Sequence, residues 1–170
     1  IQVKYCKDED IQNAFIISEI RNLLSRTLRE EDIAILYRNH YVANTLKEAL
    51  YHTYLDKLNV LTIHQAKGLE FKVVFIIGLN ENTLPMKDVS TEEERRLFYV
   101  AVTRAKKELT ITYCENRKDR MGENHLCLPS RFIEEIPSSL ISNKVAGEEE
   151  SSTEDKLAAL SAMLEKFRKK

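Results

Sequence analysis

The sequence predicts an α/β fold, a three-layer sandwich around a mostly parallel central sheet. Strand-like and helix-like segments alternate along the chain, two of the strand segments are apolar nearly throughout, as strands covered on both faces are, and no segment repeats. At 170 residues the chain has room for one domain with a substantial core.

Ile1-Gln2-Val3-Lys4-Tyr5 alternates apolar and polar, the pattern of a half-buried strand. Residues 10–26 bring Ile11, Ala14, Phe15, Ser18 and Leu23 round at near-helical spacing behind acidic residues, which predicts an amphipathic helix. Asp32-Ile33-Ala34-Ile35-Leu36-Tyr37 reads as a buried strand, and 40–50 carries helix formers. Residues 60–64 and 71–79 are strands, the second almost continuously apolar and β-branched, so both belong in the middle of the sheet. Residues 80–90, with Pro85, form a loop. Thr91 followed by Glu94 has the spacing of a capping box that opens a helix to about residue 107. Residues 109–113 alternate as a further strand, 115–124 is a polar loop, and Pro129 opens a short helix to 136. The domain therefore spans 1–137, an acidic, serine-rich linker 138–155, and an amphipathic helix with a basic end 156–170.

Composition removes several function classes. Lys and Arg number 26 against 27 Asp and Glu, so the chain is no polybasic nucleic-acid coat, although a local basic groove is compatible with that balance. Cys6, Cys114 and Cys127 are scattered without a CxxC pair, which argues against a disulfide framework or zinc site and for reduced thiols. No stretch approaches the roughly 20 apolar residues of a membrane helix, and there is no signal-peptide pattern. A cytoplasmic protein without a membrane partner is the expectation.

Ligands of open parallel sheets gather at the carboxyl ends of the strands, which favours Tyr37-Arg38, residues 64–70 and those from Gly78 onward. Arg104 follows Val100 by one helical turn and Leu97 by two, on a face committed to packing, where a guanidinium needs an anion or hydrogen-bond partners. The bland reading is a helix C-terminus whose dipole favours Arg104, Lys106 and Lys107. Gly68 permits a sharp turn between two strands, and His64 taken alone reads as a hydrogen-bonded core histidine.

Two strings change these readings. Leu61-Thr62-Ile63-His64-Gln65-Ala66-Lys67-Gly68-Leu69-Glu70-Phe71 resembles motif V of the UvrD/PcrA/Rep-like superfamily 1 DNA helicases, and Glu93-Glu94-Arg95-Arg96-Leu97-Phe98-Tyr99-Val100-Ala101-Val102-Thr103-Arg104-Ala105 resembles motif VI. The strand ending in Tyr37-Arg38 is similar to motif IV, and Pro129-Ser130-Arg131-Phe132-Ile133 extends the likeness, which covers about residues 1–136. The resemblance implies a RecA-like domain, the P-loop NTPase-like fold without the P-loop, acting as the C-terminal motor domain of an ATP-dependent DNA helicase or translocase that moves three-prime to five-prime.

By that resemblance Arg104 is an arginine finger on the γ-phosphate and Arg38 a second phosphate contact. Tyr37 stacks on the base, Gly68 and Glu70 lie near the nucleotide sugar, and Thr62 and His64 face single-stranded DNA. An arginine finger is worth about 10³–10⁵ in rate, far beyond a surface ion pair at about 0–1 kcal/mol. No GxxxxGK[ST] string is present and no apolar strand ends in an Asp-Glu pair. ATP and Mg²⁺ would thus be held mainly by the N-terminal RecA-like motor domain of the same protein, and this domain alone would be inactive. Larger relatives carry an accessory subdomain where 51–59 is a short connector here. That keeps open a HelD-like ATPase acting on RNA polymerase, and the rival from another class is a non-catalytic α/β interaction module. RNA polymerase or repair proteins are the further partners.

Overall fold

The structure, a computed structural model, describes residues 1–119 and 121–142. Its centre is a five-stranded, wholly parallel sheet built from β1 (Gln2–Cys6), β2 (Ile33–Tyr37), β3 (Asn59–Thr62), β4 (Phe71–Ile76) and β5 (Ala105–Cys114), in the order β1-β5-β4-β2-β3. The three-layer sandwich expected from the alternating pattern is present, and the physical cause lies in the period-2 geometry of the strands. Ile33, Ile35 and Tyr37, with Val73 and Phe75, point to one face. There they meet Ile16, Ile20 and Leu23 of α1 (Glu9–Ser25) and Leu46 and Leu50 of α2 (Asn44–His52). Ala34, Leu36, Val74 and Ile76 point the other way, onto Leu97, Phe98 and Ala101 of α3 (Thr91–Val102) and onto Ile63 and Ala66.

Several expected boundaries move, each for a local reason. β3 stops at Thr62 rather than at residue 64. The Thr62 amide donates to Gln65 Oε1 at 2.9 Å and the Gln65 amide to Thr62 Oγ1 at 3.2 Å, so a turn closes immediately. Helix α3 ends at Val102, not near residue 107: Thr103 Oγ1 donates to the carbonyls of Tyr99 and Val100 at 3.0 and 2.9 Å, satisfying last-turn acceptors, and β5 begins at Ala105. The capping box does not form. Ser90 occupies the N-cap without a side-chain bond, and the Glu94 carboxylate is engaged elsewhere.

The polar stretch after β5 holds an antiparallel hairpin, β6 (Asn116–Lys118) with β7 (Asn124–Leu126). The short helix expected to run to 136 is a 3₁₀ turn, Arg131–Ile133, which seats Phe132 on Phe98 with ring centroids 5.5 Å apart. The expected linker starts too early. Ser138–Leu140 forms another 3₁₀ turn, the Ile1 ammonium donates to the Leu140 carbonyl at 3.0 Å, and the Ser142 amide donates to the Ile1 carbonyl at 2.8 Å. The rest of the linker and the 156–170 helix lie outside the described residues.

Candidate functional site

A parallel sheet has two chemically distinct edges, and the residues singled out by the sequence divide between them. At the carboxyl edge, β2 hands over to Arg38 and β3 to the turn that begins at Ile63. An open cleft of ≈ 580 Å³ lies there, lined by Arg38, Asn39, His40, Tyr41, Asn44, Thr62 and His64. It adjoins a second of ≈ 360 Å³, lined by Arg38, His64, Lys67, Val89, Glu93, Glu94, Arg96, Leu97 and Val100. Arg38 and His64 are common to both.

Arg38 is fixed at this edge. Its Nε donates to Glu94 Oε1 and Oε2 at 3.1 and 3.2 Å and its Nη2 to Oε1 at 3.0 Å, while the Met86 amide donates to Glu94 Oε2 at 3.1 Å. Glu94 is 2% exposed and Arg38 16%. His64 is exposed. Partial burial lowers its pKa, and so do the positive charges of Arg38 and Lys67, with Glu94 pulling the other way. The Thr62 hydroxyl lines the cleft but also bonds Gln65 Oε1 at 3.0 Å, so it shapes the turn as well as the wall.

The amino edge carries a second group. The Phe71 amide at the start of β4 donates to the Arg104 carbonyl at 2.9 Å, which places Arg104 beside Leu69 and Glu70. Its side chain donates from Nε to the Val100 carbonyl at 3.0 Å, from Nη1 to the Leu69 carbonyl at 2.9 Å and from Nη2 to Thr103 Oγ1 at 3.1 Å. All three acceptors are neutral. Arg29, Arg38, Arg95, Arg117 and Arg131 each pair with a carboxylate instead. Of the five guanidinium N–H groups of Arg104, two have no hydrogen-bond partner among the described residues. Glu70 pairs with Lys106 at 2.9 Å on the open surface, and that hydrogen bond, with the charges of Lys106 and Arg104, holds its carboxyl below the usual range. Gly68 has φ +80 with open space around a would-be Cβ, so the glycine answers to the backbone and not to crowding.

Two expectations need correction. Tyr37 cannot offer a ring face to a base: strand alternation sends it into the α1/α2 layer, where it is 1% exposed, takes a 3.0 Å hydrogen bond from Lys47 Nζ and packs under that ammonium. Arg38 does not stand with Arg104. β4 alone, six residues long, separates the two edges by about 17 Å. Arg38 and His64 lie at the carboxyl edge, while Gly68, Glu70 and Arg104 lie toward the amino edge.

Sequence reasoning also missed Glu94. Glu94, Leu97, Phe98 and Ala101 fall at i, i+3, i+4 and i+7, and all four are buried. A carboxylate in an apolar stripe demands a cation, and that was the available signal. The buried Arg117–Glu9 pair at 2.7 Å, tying β6 to α1, gave no such signal because the hairpin itself was unexpected.

The model of the UvrD-like helicase C-terminal domain matches residues 51–116, which hold the 63–70 crossover, α3 and most of the residues above. Over 141 residues, 79% of this chain, the sequence is 38% identical to DNA helicase II of Rickettsia typhi, of which that is 21%. This chain carries a UvrD-like helicase C-terminal domain. It is also 45% identical to the ATP-dependent DNA helicase PcrA of Bacillus subtilis over 93 residues, 52% of this chain and 12% of that relative. The ATP-dependent DNA helicase Rep of Escherichia coli K12 is 45% identical over 87 residues, 49% of this chain and 13% of Rep. The chain thus spans 12% to 21% of the length of these relatives. Its fold is shared with the crystal structure of the C-terminal domain of a possible DNA helicase from Lactobacillus plantarum WCFS1, at a TM-score of 0.61 and 20% identity with 83% of each chain covered. Among the described residues, no helix of this UvrD-like domain is long and apolar enough to cross a membrane.

Proposed function

We propose that this UvrD-like domain is the second RecA-like motor domain of an ATP-dependent, three-prime to five-prime DNA helicase or translocase. One observation carries the reading. Helix α3 runs from one edge of the sheet to the other and is tied at both, through Glu94 to Arg38 after β2 and, through Arg104 just past its last residue, to Leu69 of the 63–70 crossover. Arg38, bound to Glu94, is anchored at the carboxyl edge, and Arg104, bound to Leu69, at the amino edge. A displacement at one edge is passed to the other through α3, a rod of 12 residues and about 18 Å.

In this reading the amino edge faces a nucleotide held by a partner RecA-like lobe. Arg104 supplies positive charge to the transferred γ-phosphoryl as an arginine finger, and Glu70 exchanges its exposed Lys106 partner for a sugar hydroxyl beside Gly68. This chain has no P-loop and no acidic pair for magnesium, so ATP and Mg²⁺ are held chiefly by the partner lobe. The carboxyl edge receives single-stranded DNA: Arg38, Lys67 and Arg96 offer phosphate contacts, and Asn39, Asn44, Thr62 and His64 offer hydrogen bonds. Arg38 therefore moves from the nucleotide set to the nucleic-acid set. The test compares Arg38→Ala and Arg104→Ala in the complete motor. The first should weaken single-strand binding, and the second should lower turnover while leaving that binding in place. The reverse assignment of losses overturns it.

A further inference from the structure

We infer that Glu94 is the positioning residue of the carboxyl-edge cleft, its buried carboxylate holding the Nε–Nη2 edge of Arg38 so that Nη1 is kept ready for a phosphate of a bound single strand. The inference rests on the reading of that cleft as a nucleic-acid face. Glu94 itself does not touch the strand. Both of its oxygens are taken, by Arg38 Nε and Nη2 and by the Met86 amide, and the residue is sealed under α3 with Leu97, Phe98 and Ala101. Arg38 reaches the surface between the two clefts, and among the described residues no hydrogen bond engages its Nη1.

Burying a carboxylate on the apolar stripe of a helix is unfavourable unless a cation and further donors compensate it, and a surface-anchored arginine would bind phosphate without any such residue. What the arrangement supplies is orientation. The side-on edge of the planar fork is locked, so less rotamer freedom is lost when the remaining N–H groups bind an anion. The Met86 bond fixes the carboxylate in turn, so the α3 N-terminus, the 80–90 loop and the end of β2 hold one another in register.

This account makes a prediction opposite to that of simple electrostatics. A negative charge beside a phosphate path opposes binding, so removing it should tighten the complex if charge were all that mattered. Positioning predicts the reverse: Glu94→Gln weakens binding of fluorescein-labelled dT16 to the folded chain, read by anisotropy at low salt, by about 3- to 10-fold. The loss should vanish in the Arg38→Ala background, because Glu94 acts only through Arg38. Circular dichroism melts of all four proteins establish that each is folded at the assay temperature. Where Glu94→Gln fails to fold, Glu94→Asp keeps the charge but withdraws it by one methylene, and it should reproduce part of the loss. Equal or tighter binding by Glu94→Gln overturns the inference. So does a loss that persists when Arg38 is already alanine, which would mark Glu94 as a support for α3 alone. If the unaltered chain shows no saturable, salt-dependent binding, the nucleic-acid reading of the cleft fails, and the inference fails with it.

Discussion

Arg104 Nη1 and the Leu69 carbonyl meet at 2.9 Å across the junction of α3 and the 63–70 crossover, an arginine held by neutral oxygen where Arg29, Arg38, Arg95, Arg117 and Arg131 rest on carboxylates. The bond orients the guanidinium without neutralising it. Such a group caps the α3 carboxyl end, as the Val100 contact shows, and in the proposed reading it is also a preformed donor for an incoming anion. The two roles do not compete, since two N–H groups remain.

Tyr37 separates core from site. Tyr37→Phe loses the Lys47 and His40 contacts of its hydroxyl and should cost about 1 kcal/mol in urea unfolding, with nucleotide and DNA binding unchanged. Tyr37→Ala should cost about 3–5 kcal/mol, as deletion of a buried aromatic does. A binding defect in Tyr37→Phe without a stability change would bring the Tyr37 hydroxyl into the site.

The glycines Gly68 and Gly78 should behave differently. Both have positive φ, +80 and +70, but a Cβ on Gly68 meets nothing within 4 Å, whereas one on Gly78 would lie 2.5 Å from Val42 Cγ1. Gly68→Ala carries the backbone penalty alone, about 1–2 kcal/mol. Gly78→Ala adds overpacking, for a total of about 2–5 kcal/mol. Chemical denaturation of both variants checks the order, and equal costs would contradict it.

The fold was legible in the sequence because hydrophobic alternation is an averaged signal. The doubly buried runs of β2 and β4 and the stripe Leu97, Phe98, Ala101 fix three layers whatever happens at their ends. The boundaries were not, because they depend on single side-chain bonds: Gln65 closing on Thr62, Thr103 capping α3. The site was half legible. Motif strings carry Arg104, Gly68, Glu70, Thr62 and His64, but a string has no edge, so it groups Arg38 with Arg104 although the sheet holds them apart. The side on which Tyr37 lies is set by its alternation with Ile33 and Ile35 toward α1 and α2, which a motif string does not carry.

His64 gives the cleft a defined pH response. Its pKa lies below the ordinary value in the folded chain, so between that depressed value and about 6.5 the unfolded chain binds more protons. The neutral-imidazole contribution to stability is present above pH 6.5 and is lost as pH falls through the folded pKa. His64→Gln should flatten that part of the stability profile. A phosphate strand in the cleft should raise the His64 pKa, which a proton NMR titration with and without dT16 reads directly. An unmoved titration would place the strand elsewhere.

DNA-stimulated ATP turnover by the complete motor carrying Arg104→Ala is the most direct measurement. The account predicts a fall of about 10³-fold or more, with nucleotide affinity, single-strand affinity and melting temperature near those of the unaltered protein, and no recovery in Arg104→Lys, which keeps the charge but loses the fork. Turnover within a few-fold of the unaltered protein would show that Arg104 serves only to cap α3, and would contradict the account.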